Sequence, residues 1–110
     1  MRPDRRRLVE ILYLAGCPNH EGVRALVERL ARELELEPEI RMVSVPDVAA
    51  ATRLRFLGSP TVHVDGRDVE RGAEDRSDFV LSCRLYRTEH GLAGRPDERW
   101  VRAALSSGGP

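Results

Sequence analysis

Val23, Leu26, Val27, Leu30, Ala31 and Leu34 recur at three- and four-residue intervals, and no other pattern constrains the fold of this chain as tightly. That spacing lines one face of an α-helix. Arg24, Glu28, Arg32 and Glu33 fall on the opposite face, at separations that suit i,i+4 ion pairing in water. The pattern predicts a helix over residues 20–35, ended by Glu37-Pro38, because proline disfavours helix at the residue before it. A helix with one apolar stripe must lay that stripe on something, and the flanking segments supply it. Leu8 to Leu14 is a short apolar run with β-forming residues, and Ile40 to Ser44 reads as a second strand. Strand, helix and strand in succession imply a right-handed parallel crossover.

Downstream, Ser44 to Asp47 has the character of a helix start, with Pro46 in the first turn and an acid near the N-terminus. A second, shorter helix is expected from Val48 to Leu57, ending at Gly58. Thr61 to Val64 is a strand, Asp65-Gly66 a hairpin turn signal, and Arg67 to Glu70 its partner. Residues 71–78 are charged and aperiodic and read as a loop, while Phe79 to Arg87 fits strand and helix alike. Pro96-Asp97-Glu98 opens a last helix with Trp100, Val101, Ala104 and Leu105 on one side, and Ser106 to Pro110 reads as a frayed tail. The expected fold class is α/β: a mixed four-stranded sheet between flanking helices, in the order βαβαββ, a charged excursion, and α. With 110 residues, the chain is expected to form a single domain over 1–110, large enough to bury a core without disulfides or a structural metal. Aromatics are only 5%, so Val, Leu, Ile and Ala must build that core.

Eighteen cations balance eighteen acids, which leaves no basic surplus for phosphates and argues against nucleic acid as a partner. The one basic run, Arg5-Arg6-Arg7, reads as a solvated flank. No apolar run approaches the ~20 residues of a membrane span. Leu14-Ala15-Gly16-Cys17 has the look of a lipoprotein cleavage site, but the preceding apolar run is short and contains Glu10, and Pro18 and an amphipathic helix follow at once. Two cysteines are too few for a secreted disulfide framework and fit a reducing compartment, so the expected location is the cytoplasm.

Cys17 falls where the first strand ends and the long helix begins. Helix N-terminal N–H groups and the macrodipole favour an anion there, which lowers a thiol pKa and supplies the nucleophilic thiolate. The alternative is a small buried hydrophobe. His20 stands three residues on, where a dithiol motif would carry its second cysteine. It would stabilise the thiolate or relay a proton, or else sit exposed in the first turn. Residues 17–20 therefore close no local disulfide. Cys83 is either a resolving thiol for Cys17, if the excursion folds over the same face, or a buried structural cysteine between Leu81 and Leu85. Arg84 and Tyr86 are candidates for that face. His63 alternates with Val62 and Val64 and reads as a solvated or hydrogen-bonded histidine, His90 as loop, and Trp100 as core.

A strand, a Cys-Pro-x-x turn, a long helix, a second βα unit and Gly58-Ser59-Pro60-Thr61 before a hairpin together resemble the thioredoxin superfamily. The resemblance implies a cis peptide before Pro60, facing Cys17, with the Ser59 backbone offering strand-like hydrogen bonds to a bound thiol peptide and Thr61 beside it. Gly16-Cys17-Pro18-Asn19-His20, Leu57-Gly58-Ser59-Pro60-Thr61-Val62, Val64-Asp65-Gly66 and Ser82-Cys83-Arg84-Leu85-Tyr86 further resemble a small group of bacterial thioredoxin-like proteins and selenoproteins, some labelled as related to alkylmercury lyase. Selenium-bearing members place selenocysteine at the position matching Cys17, which implies that Cys17 is the nucleophile. His20 and the charged excursion 71–95 depart from dithiol thioredoxins.

The expected activity is that of a thiol oxidoreductase or thiol peroxidase without a cofactor, with Cys17, His20 and Cys83 as catalytic residues and Ser59, Pro60 and Thr61 as substrate-binding ones. Its partners would be a thiol or disulfide substrate and a cellular reductant. Two other readings use the same residues. One is a soft-metal protein holding mercury, copper or zinc through Cys17, His20 and Cys83. The other is a non-catalytic thioredoxin-fold adaptor.

Overall fold

The computed structural model describes residues 7–106, so the outer part of the arginine run and residues 107–110 of the tail lie outside the described residues. Strand β1 (Leu8–Tyr13) leads through α1 (His20–Glu33) to β2 (Glu39–Ser44), then through α2 (Val48–Arg53) to β3 (Thr61–Val64) and β4 (Arg67–Asp68). After one 3-10 turn at Ala73–Asp75 come a short hairpin, β5 (Tyr86–Thr88) and β6 (Gly91–Ala93), and a last helix, α3 (Glu98–Ser106). The main sheet runs in the order β2-β1-β3-β4. β1 lies parallel to β2, with Ile11 opposite Met42, and antiparallel to β3, with Ile11 opposite Val62. The result is a mixed four-stranded sheet with helices packed on both faces.

Alternation along the central strand explains the two faces. Val9 and Ile11 pack with Val62 and Val64 of β3, the stripe of α1, and Val101 and Leu105 of α3. Leu12 points the other way, onto Val45, Ala50, Ala51 and Phe56. The expected Asp65-Gly66 hairpin is present. Both residues have positive φ, 53° and 86°, as a type I′ turn requires. Asp65 Oδ1 also accepts the Leu8 N–H at 2.9 Å, which ties the turn back to β1.

Helix ends differ from expectation, for one physical reason. α1 stops at Glu33 and not under the influence of Pro38: Glu35 takes φ 57°, and the Leu36 N–H reaches back to the Ala31 carbonyl at 2.8 Å. α2 ends the same way, four residues earlier than expected, with Arg55 at φ 56° and the Phe56 N–H on the Ala51 carbonyl at 2.8 Å. Both are Schellman turns, and both place a charged residue where glycine is usual. Pro46 lies outside α2, whose N-cap is Asp47, accepting the Ala50 N–H at 2.8 Å.

The excursion departs most from the sequence reading. It is an ordered strap, with Ser59 and Cys83 joined as a backbone bridge and Tyr86–Thr88 forming a strand. Trp100 is half-buried, its ring 6.2 Å from that of Tyr86, so it packs against the strap and not in the main core. Among the described residues, no helix is long and apolar enough to cross a membrane.

Candidate functional site

The turn from β1 to α1 is held by the Cys17 N–H on the Leu14 carbonyl at 3.1 Å, with Gly16 at φ 90°. α1 begins one residue after Asn19, which makes no side-chain capping bond. The Asn19 amide packs instead against Gly94, just past β6, where an added Cβ would lie 2.5 Å from Nδ2. The strap thus meets the Cys-Pro-Asn-His turn through a close contact, in which a side chain at position 94 would push the Asn19 amide aside.

Cys17 is 5% exposed, but its surroundings are not purely apolar. Its Sγ lies 3.8 Å from the Ser59 carbonyl oxygen, to which the thiol donates. Burial pushes the Cys17 pKa up. Hydrogen bonds from the Ser59 side chain, the Asn19 backbone N–H and the Cys83 thiol to the sulfur outweigh it, and the pKa is lowered from its ordinary value. The Ser59 hydroxyl is suited to this, because its oxygen accepts the Leu14 N–H at 3.0 Å and its proton remains to be donated. The low pKa therefore rests on side-chain and backbone donors gathered from three segments.

Cys83 is exposed, which removes the reading of a buried structural cysteine. Both cysteines are free thiols. The charge on Cys17, together with the bond between the two thiols, raises the Cys83 pKa, so Cys17 ionises first. His20 sits elsewhere in the turn. Its Nδ1 lies 2.6 Å from the Cys17 carbonyl oxygen and its ring stacks on Tyr13, with centroids 4.3 Å apart. A carbonyl only accepts, so Nδ1 is the donor in this bond. The stacked rings border an open groove of about 370 Å³ between α1 and Met42 of β2, and Cys17 does not line it. His20 is thus placed to hold the turn's backbone and is not among the thiolate's partners. Cys17, His20 and Cys83 do not converge as ligands either: among the described residues no group of three or more His, Cys, Asp or Glu could hold a metal ion.

The Ser59–Pro60 peptide is cis, and all three residues of Ser59-Pro60-Thr61 are buried. Each is engaged within the chain. The Ser59 N–H donates to the Ser82 carbonyl and the Ser59 carbonyl accepts the Arg84 N–H, both at 2.8 Å. The Tyr86 hydroxyl donates to the Pro60 carbonyl. Thr61 Oγ1 donates to the Gly58 carbonyl at 2.6 Å and accepts from Arg84 Nη1 at 3.0 Å. The strand edge that the resemblance implies for a thiol peptide is therefore occupied by residues 82–84.

Arg84, a minor candidate in the sequence, anchors the strap. Its side chain is 2% exposed and binds Asp68 through both terminal nitrogens, at 2.8 and 3.2 Å, with Glu70 at 2.7 Å. Its guanidinium also stacks on the Tyr86 ring at 4.3 Å. Beneath it, Gly58 has φ 123° and would bring a Cβ within 2.7 Å of the Arg84 Cβ, so glycine is required there. The sequence held one signal for this arrangement, the alternation of an arginine and a tyrosine beside Cys83. Nothing local pairs Arg84 with two acids of β4 and its exit. His63 is also unlike its sequence reading: it is buried, 4.0 Å from Asp68, and burial lowers its pKa against the pull of Asp68 and Glu10. Comparison of the chain with protein families, with curated proteins and with solved structures returned no match.

Proposed function

We propose that the chain is a thioredoxin-like, thiol-dependent redox protein in which Cys17 is the nucleophile. The observation that carries this reading is the Cys17 sulfur lying 3.8 Å from the Ser59 carbonyl at the cis Ser59–Pro60 bend, with its pKa lowered despite burial. A thiolate so supported attacks a disulfide sulfur or a peroxide oxygen in line with the leaving group, forming Cys17–S–S–R or Cys17–S–OH and releasing a thiolate or an alkoxide. Cys83 is the second thiol of the site. Once its exposed side chain swings inward and ionises, it attacks the Cys17 sulfur, expels the bound group and leaves a disulfide for a cellular thiol reductant. A thiolate maintained for chemistry suits the reducing cytoplasm.

The test is the rate of iodoacetamide modification of Cys17 against pH, followed by peptide mass mapping. The expected inflection lies below the ~8.5 of a free thiol, and the peptide carrying Cys17 is modified ahead of the one carrying Cys83 at neutral pH. An inflection at or above ~8.5 would remove the chemical basis of the proposal.

A further inference from the structure

We infer that the Ser82–Tyr86 strap fills the strand edge beside the reactive sulfur, so that Cys17 acts on small thiol-reactive molecules, low-molecular-weight disulfides or hydroperoxides, and not on protein disulfides. The inference deepens the thiol-redox reading and rests on it.

An extended peptide binds beside a reactive group chiefly by adding a strand to a free backbone edge, where main-chain N–H and C=O groups supply the affinity. The edge nearest the Cys17 sulfur is Ser59, whose carbonyl oxygen lies 3.8 Å from Sγ. Both backbone groups of Ser59 are taken, by Ser82 and Arg84, in bonds of 2.8 Å. A polypeptide substrate has no main chain left to pair with unless the strap leaves.

Four features oppose its leaving. Arg84 is buried and held by Asp68, Glu70 and Thr61. Its Cβ packs on Gly58, with no room for a side chain at that position. The buried Tyr86 hydroxyl is bonded to the Pro60 carbonyl, and the far end of the strap is seated on Asn19 at Gly94. Pulling Arg84 out would strand two carboxylates in a partly buried site, a strongly unfavourable change. What remains open to Cys17 is narrow, since only 5% of the residue is exposed. So narrow an opening excludes the disulfide of a folded protein before it excludes a small disulfide or hydroperoxide. The chemistry is unchanged by size. Cys17 thiolate displaces RS⁻ from R–S–S–R, or RO⁻ from R–O–O–H with the hydroxyl transferred to sulfur, and the leaving anion takes its proton from water.

The test uses full-length Cys83→Ser protein, so that Cys17 is the only thiol, and follows formation of the Cys17 adduct by intact mass. The probes are 2-hydroxyethyl disulfide, hydrogen peroxide and insulin as a protein disulfide. The expected result is reaction with at least one small probe and a rate with insulin lower by about tenfold or more, since an open minor state is commonly populated at no more than about a tenth. Adding Arg84→Ala is expected to raise the insulin rate relative to the small-probe rate by about tenfold. Comparable rates with insulin and the small disulfide in the Cys83→Ser protein would overturn the inference while leaving the thiol-redox reading intact. No Cys17 adduct with any of the three would overturn that reading instead. Should Arg84→Ala fail to fold, amide hydrogen exchange of the Cys83→Ser protein decides: slow exchange at Ser59 and Arg84 supports a seated strap, and exchange at the rate of free peptide overturns it.

Discussion

Each donor around the Cys17 sulfur belongs to a different part of the chain: Asn19 to the turn itself, Ser59 to the bend before β3, and Cys83 to the strap. At the scale of single residues, Ser59 therefore has two duties, accepting the Leu14 N–H and donating to the sulfur. Ser59→Ala removes both. The Cys17 pKa is expected to rise, since a donor to the charged form is lost while burial stays, and the inflection of the alkylation profile moves to higher pH. The same variant leaves the Leu14 N–H without its acceptor and is expected to cost about 1–3 kcal/mol in urea unfolding. An unchanged inflection would separate Ser59 from the thiolate. Position before the helix singled out Cys17 as the candidate nucleophile, because helix-start chemistry is local, whereas the groups that lower its pKa come from Ser59, Asn19 and Cys83. The sequence did not show that His20 turns its Nδ1 to the Cys17 carbonyl at 2.6 Å, because stacking on Tyr13 of the strand end sets that ring.

Among the elements, α1 and the Asp65-Gly66 hairpin were legible because periodicity and turn chemistry act over a few residues. The ends of α1 and α2 were not. Both close by Schellman turns on Glu35 and Arg55, residues that carry no signal for left-handed backbone. At Glu35, which is exposed, the side chain contributes nothing to offset its Cβ strain. Glu35→Gly is expected to raise stability by about 0.5–1 kcal/mol in chemical denaturation, without altering Cys17 reactivity. A loss of stability would show that the turn is held otherwise. Arg55 is a poorer choice for the same change, since its guanidinium bonds the Glu74 and Arg76 carbonyls and lies over Phe79.

For the molecule as a whole, the buried His63 couples stability to pH. It lies on β3 facing Asp68 of β4 and Glu10 of β1, with Arg84 and Arg55 also near enough to act on it. Burial lowers its pKa, and the two arginines reinforce that against the two acids. In the unfolded chain the ring takes a proton below about pH 6.5, while the folded ring resists doing so. Protonation therefore favours unfolding, and stability is expected to fall as pH drops below about 6.5, until the lowered folded pKa is reached. His63→Gln is expected to flatten that part of the profile, measured as denaturation midpoints at about pH 7.5 and about pH 5.5. Equal slopes in both proteins would place the dependence elsewhere.

Local rules were enough to establish the alternation of strands and helices, the hairpin and the place of Cys17 before a helix, because each follows from residues within a turn or two of one another, whereas the cis bend at Ser59-Pro60 was expected only from the resemblance. Only the tertiary structure decided what surrounds the sulfur. The strap is held by contacts that reach 26 residues from Tyr86 to Pro60 and 16 from Arg84 to Asp68, with no periodic pattern to announce them. Whether Cys83 is exposed and whether the Ser59 edge is free both depend on where that segment lands. Its landing place is set by a buried arginine, two carboxylates and the glycine-sized gap at Gly58, which come together only when the sheet has formed.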